Sequence, residues 1–216
     1  MEPEKLYPAA RRATPLLRAV SAFLLCVCAW PVALAQAPDA AWRAAFTGRL
    51  VAAAIARAQV HVRYVPDYMK IGYPGGDVPA DTGVCTDEII RIYRAVGVDL
   101  QKEVHEDMLQ SFSEYPIHER QADSNIDHRR VPDLGKFFAR HGSALPITRN
   151  AGDYKPGDIV TWDLDGKHTH IGMVVDRTNF WGRYKILHNI GQGPQIEDVL
   201  FDWKITGHYR YYGPRG

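Results

Sequence analysis

"DTGVCTDEIIRIYRAVG", running from Asp81 to Gly97, decides how the chain is to be read. Within it Cys85, Ile89, Ile92, Tyr93 and Val96 recur at i, i+4, i+7, i+8 and i+11, the inward stripe of an amphipathic helix, and Gly97 stops the run. Cys85 therefore falls in the first turn, with Asp81 or Thr82 as the expected cap. Upstream, the stretch from Tyr64 to Gly83 carries Pro66, Pro74, Pro79, Gly75, Gly76 and Gly83, too dense in breakers for anything but an ordered loop. Before that loop a helix is expected from about Ala40 to Val60, capped by Asp39, with Trp42, Phe46, Leu50 and Ile55 at helical spacing. After it come two more expected helices, Asp99 to Phe112 and Pro132 to His141, the latter closed by Gly142. "YPIHERQADSNIDHRR" between them reads as polar loop.

From Pro156 the pattern turns to β. "GDIVTWDL", "HIGMVVD", "YKILHNI" and "ITGHYRYY" are short β-branched or aromatic runs parted by Gly, Asp and Asn turns, as in an antiparallel meander. Helices first and strands after predict an α+β fold, the early helices packed on the later sheet. No internal repeat or low-complexity tract interrupts it.

The N-terminus bears on what Cys85 means. Arg11, Arg12 and Arg18 precede the apolar stretch "AVSAFLLCVCAWPVALA", which ends at Ala33-Leu34-Ala35 before polar "QAPDA". A basic start, an apolar core and a small-x-small exit predict a secretory signal peptide over residues 1–35, cleaved after Ala35. A membrane anchor is the rival, but Pro31 interrupts a run already shorter than the roughly 20 apolar residues a spanning helix needs. Neither Cys26 nor Cys28 follows a small residue, which argues against a lipoprotein. Cleavage would remove both, leaving Cys85 as the lone thiol of residues 36–216. In an oxidising compartment such a cysteine is buried and inert, paired between chains, or kept for its reactivity. Taking the leader's four basic and two acidic residues from the chain's 26 and 25 leaves 22 against 23. That balance offers no broad cationic face, so no nucleic-acid partner is expected, and no membrane span remains after cleavage.

A thiol at a helix N-terminus meets the positive end of the macrodipole, which is expected to favour thiolate. A nucleophile also needs a base. His170 opens "HIGMVVD", where alternation puts His170, Gly172 and Val174 on one face, and Gly172 is expected to let a helix approach closely. On the next strand His188 shares an inward face with Ile186 and Ile190. A Cys–His pair oriented by a further polar side chain is the logic of an activated thiol, although the chain's nine histidines make coincidence a fair alternative.

"YPGGDVPADTGVCTDEIIRIYRAVGVDL", "PGDIVTW", "HIGMVVD" and "ILHNI" resemble, in order, the nucleophile helix and following strands of the NlpC-type papain-like cell-wall cysteine peptidases. From about Ala45 onward the chain also resembles an exported bacterial family, domain of unknown function 1287, through "GVCTD", "HEDM", "NIDHRR", "HIGMV" and "HNIG". The peptidase resemblance implies Cys85 as nucleophile, His170 as base and later acid, and His188 as orienting residue, with the Cys85 amide as an oxyanion donor. It implies an assisting tyrosine near the Gly-Gly pair, for which Tyr73 is the candidate, one residue out of register. Thr86 and Asp87 stand where those peptidases usually carry Ser-Gly, and an insertion spans about 98–153 of the single domain 36–216.

Within that insertion, His128, Arg129 and Arg130 could recognise a carboxylate on a peptidoglycan stem peptide, as could "VHEDM" (residues 104–108), or they could tie the insertion down by internal ion pairs. Asp87 is a further candidate for substrate contact, or merely an outward complement to the helix N-terminus. Cys85, His168, His170 and His188 could also be imagined as metal ligands, but no paired-cysteine or His-x-x-x-His spacing supports them. No metal or cofactor is expected. His168 is expected to face solvent and His208 to be packed. The implied function is an exported hydrolase of envelope amide bonds, monomeric and periplasmic. An acyltransferase, a lipid amidase or a catalytically silent envelope-binding module remain alternatives.

Overall fold

The computed structural model describes residues 1, 30–116 and 120–214, with side chains in the long first helix from Asp39. Most of the expected leader, including Cys26 and Cys28, lies outside the described residues, as do residues 117–119 of the polar loop. The chain divides into two compact units, Met1–Ala37 and Pro38–Gly216, of which the second carries the site.

Helix α1 (Trp30–Arg57) starts earlier than the apolar spacing predicts, so Asp39 stands inside it, 3.3 Å from Arg43 one turn on, instead of capping it. Its buried stripe is Phe46, Leu50, Val51 and Ala54. A two-residue strand β1 (Arg63–Tyr64) pairs in parallel with β2 (Thr82–Gly83), drawing the breaker-rich loop into a closed excursion. Helix α2 (Cys85–Ala95) follows at once and ends before Gly97, whose φ of 89° suits glycine. Helix α3 (Leu100–Ser111) is capped by Asp99, which accepts from the Gln101 and Lys102 amides. A single 3-10 turn, Asp127–Arg129, leads into α4 (Val131–His141), with Pro132 in its first turn.

The strands β3 (Ser143–Ala144), β4 (Ile159–Asp163), β5 (Thr169–Thr178), β6 (Tyr184–His188), β7 (Gln195–Glu197) and β8 (Lys204–Arg210) form one antiparallel sheet in the order β3-β8-β4-β5-β6-β7. The expected meander holds from β4 to β7 but not beyond. β8 returns to the far side of β4, carrying β3 as its edge partner.

Alternation along these strands makes two apolar layers. Ile159, Ile171, Met173, Val175 and Leu187 join the helices and Cys85, while Val160, Trp162, Val174 and Ile186 pack on the other face with Tyr154 and Leu200. The fold is thus α+β, with α2 lying against β5. Gly172 serves the sheet and not, as expected, a helix: a Cβ there would meet Ile186 Cγ2 at 2.6 Å and the Leu187 carbonyl oxygen at 2.8 Å. Among the described residues no helix is long and apolar enough to cross a membrane.

Candidate active site

Cys85 is placed by its neighbours on both sides. The β1–β2 bridge aligns Tyr64 with Gly83, and Val84 continues extended (φ −120°, ψ −174°) into the helix. The expected caps are engaged elsewhere: Asp81 accepts from Arg63 at 2.9 Å and the Thr82 hydroxyl donates to the Pro79 carbonyl at 3.0 Å. Asp87 caps instead, folding back to accept the Val84 amide at 2.7 Å. Nor does it point outward. It is buried and accepts two hydrogen bonds from Arg129, at 2.8 and 3.1 Å, while the Thr86 hydroxyl donates to the Arg129 carbonyl at 2.9 Å. A segment 42 residues downstream therefore clamps the turn that holds the cysteine.

Cys85 is 5% exposed. Burial pushes its thiol up to about 12, against the amides of Ile171, Thr86 and Cys85 itself, which favour thiolate. The expected lowering by the helix N-terminus is thus reversed. A macrodipole contributes about 1 kcal/mol in its first turn, less than the cost of desolvating a charged sulfur in an apolar cluster. At neutral pH the group is a thiol.

His170 lies on β5 and His188 on β6, both buried. His170 Nε2 is 2.9 Å from His188 Nδ1, and His188 Nε2 is 2.9 Å from Glu197 Oε2 on β7. Trp162 and Trp203 pack edge or face against the imidazoles, and Trp162 is itself fixed by donating to the Leu200 carbonyl at 3.0 Å. Burial, with a smaller contribution from the nearby His188, pushes His170 down to about 3. Burial also lowers His188, against the opposing pull of Glu197 and Asp202. Both rings are therefore neutral at pH 7.

The structure joins the two histidines to each other and to Glu197, and brings the cysteine to the same strand from the other side. Register puts His170 opposite Trp162 and Gly172 opposite His188, on the tryptophan face of the sheet, whereas Cys85 packs in the helix-side cluster with Ile171. The point of contact is the Ile171 amide, which faces the sulfur. Among the described residues no hydrogen bond joins that sulfur to either imidazole.

Tyr73 is 43% exposed and stands edge-on to His105, ring centres 5.2 Å apart. Tyr64, paired with Gly83 across the β1–β2 bridge, has its phenol pushed up to about 12 by burial, with smaller contributions from Cys85 and Asp87. Sequence spacing gives no hint of it, because the pairing of Tyr64 with Gly83 spans a loop that local pattern does not resolve.

In the insertion, Arg129 is already satisfied within the fold by Asp87. His128 is buried and pushed down to about 3 by desolvation, and its Nδ1 has no partner among the described residues. The Arg130 backbone precedes α4. Asp127 accepts from the Asp123 amide and lies 2.9 Å from His105 Nδ1, and Arg140 donates twice to Asp107, so that "VHEDM" and "NIDHRR" are laced together from within. His168 is exposed beside Asp165 at 2.7 Å, and His208 is buried between Asp158 and the Pro146 carbonyl. Among the described residues no three His, Cys, Asp or Glu side chains group as metal ligands would.

Comparison with known proteins adds three findings. The family described as Domain of unknown function (DUF1287) matches residues 51–211. "Uncharacterized protein YijF" of Escherichia coli (strain K12) is 52% identical over 151 residues, which cover 69% of this chain and 74% of that protein. Among solved structures, NlpC1 from Trichomonas vaginalis is similar at a TM-score of 0.42 and 16% identity, over 76% of this chain and 44% of that one, so the chain spans less than half of that neighbour's length. The extent of the family match and the identity to the Escherichia coli relative make the chain a member of the family of domain of unknown function 1287.

Proposed function

We propose that the protein is an exported thiol hydrolase that cleaves an amide bond of the cell envelope, within peptidoglycan peptides, using Cys85 as nucleophile, His170 as base and His188 as its orienting partner. The observation that carries this reading is the arrangement around Ile171. A cysteine opens a helix against the strand residue that follows His170, and that imidazole is held from behind by a second one and a carboxylate.

The resting groups are neutral, so catalysis does not begin from a stored thiolate–imidazolium pair. As the sulfur attacks the carbonyl carbon, His170 takes the thiol proton in the same step, and the C–S bond forms while the carbonyl electrons move onto oxygen. Backbone N–H groups in the first turn of α2, that of Cys85 among them, face the oxyanion. Collapse breaks the C–N bond, and His170 returns its proton to the departing amine. Water, deprotonated by His170, then displaces the sulfur and releases the acid, and His170 returns that proton to the departing thiolate. Substrate entry requires the buried sulfur of Cys85 to be uncovered. The leader-like N-terminus supports export and a periplasmic site of action.

A second reading is a catalytically silent envelope-binding module. Burial of the sulfur, a thiol held near 12 and the lack of a hydrogen bond to an imidazole favour it. Purified sacculi incubated with the protein and with Cys85→Ala separate the two. The hydrolase yields new fragments by mass spectrometry, absent with the variant. Unchanged sacculi and unchanged simple acyl substrates support the binder, while acyl exchange without hydrolysis marks a transferase.

A further inference from the structure

We infer that Glu197 is a positioning residue which fixes the order of protons along the two histidines and so leaves one defined nitrogen, His170 Nδ1, free to accept a proton. The register pairs Glu197 with Ile186, two residues before His188, so that all three side chains share the tryptophan face and Glu197 reaches His188 along the diagonal. A carboxylate only accepts. At 2.9 Å from His188 Nε2 it requires the ring hydrogen on that nitrogen.

A neutral His188 then presents a bare Nδ1, which must itself accept. The atom 2.9 Å from it is His170 Nε2, which must therefore donate. His170, also neutral, is left with its lone pair on Nδ1. The reverse order would set a bare His188 Nε2 against the carboxylate, lone pair facing lone pair. An imidazolium at His188 would donate to both neighbours and put the His170 hydrogen on Nδ1, abolishing the base. Each alternative is a different set of protonated nitrogens, and only one gives a usable acceptor.

Glu197 stands on the edge strand with its side chain 43% exposed, so packing does not compel a charged group at this position. Its carboxylate contact runs to the histidine pair. The role inferred here rests on the thiol-hydrolase reading for its purpose, but not for its geometry, and the two are tested apart.

The test is two-bond 1H–15N correlation spectroscopy on histidine-labelled protein, comparing the wild type, Glu197→Gln and Glu197→Leu at pH 7. Both rings are expected as the Nε2–H form in the wild type, while Glu197→Leu, which offers no acceptor, and Glu197→Gln, whose amide can donate as well as accept, show His188 in mixed forms. A wild-type His188 carrying its hydrogen on Nδ1, or on both nitrogens, overturns the inference. So does a Glu197→Leu protein, folded by tryptophan fluorescence, that keeps the single Nε2–H form. Alkylation of Cys85 in the same samples is expected to slow about twofold or more in both variants, in proportion to the fraction of His170 that carries its hydrogen on Nδ1. Mixed tautomers with an unchanged alkylation rate uphold the ordering role and count against the hydrolase reading instead.

Discussion

Breaking the Asp87–Arg129 pair is expected to destabilise the protein far more than an exposed ion pair would. Both side chains are 2% exposed, and two hydrogen bonds of 2.8 and 3.1 Å join them. Removing either partner leaves an uncompensated buried charge, which costs about 3–5 kcal/mol. Asp87→Ala also frees the Val84 amide, adding about 1 kcal/mol for the lost cap. Against a domain stability on the order of 5–15 kcal/mol, Arg129→Ala alone should lower the melting temperature by about 10 °C, and Asp87→Ala by somewhat more. The double variant Asp87→Leu/Arg129→Met, which places apolar groups opposite each other, should be more stable than either alanine variant. Equilibrium urea unfolding followed by tryptophan fluorescence reads all three, and Asp87→Ala/Arg129→Ala closes the double-mutant cycle. An Arg129→Ala cost below about 1 kcal/mol, or strictly additive effects, would refute the reasoning. Arg129 would then be free to grip a substrate carboxylate, the role weighed against this one from sequence.

Three further outcomes follow from particular residues. His128 and His170 are each held near 3 in the folded protein against about 6.5 when unfolded, so their contribution is complete above pH 6.5 and is lost as pH falls toward 3. Each should remove about 2 kcal/mol between pH 7 and pH 5. Urea midpoints at the two pH values check this, and equal midpoints would contradict it. Gly172→Ala forces a methyl against Ile186 and the Leu187 carbonyl and should cost about 1–3 kcal/mol, measured by thermal unfolding; a neutral effect would mean β5 and β6 part freely. Tyr64→Phe should slow Cys85 alkylation several-fold while Tyr73→Phe leaves it unchanged, and the opposite ranking would favour Tyr73 as the assisting tyrosine.

The elements legible in the sequence are those whose periodicity is long enough to count. Helix α2 was marked by five apolar residues on one stripe, and β4, β5, β6 and β8 by β-branched runs between turn residues. β3 and β7, two and three residues long, carry no such signal, and with β7 went Glu197. The last strand's return beside β4 is a tertiary choice between two open edges, which alternation does not decide. At the site, residue identities and chain order pointed to Cys85, His170 and His188. The state of those groups did not follow from position, because a helix N-terminus favours thiolate only where solvent or charge supports it, and the cover over Cys85 comes from distant segments. The Val84 cap carries no local signal for a related reason: valine has no capping oxygen, and the acceptor is supplied from three residues ahead by Asp87.

The most direct test of the proposed chemistry is the rate at which iodoacetamide modifies Cys85 in the folded protein at pH 7, read by intact-mass spectrometry for the wild type and His170→Gln. Activation by His170 predicts modification faster than global unfolding in the wild type and slower in the variant. Equal rates in both proteins, each matching their unfolding rate, would contradict it and leave Cys85 a packing residue.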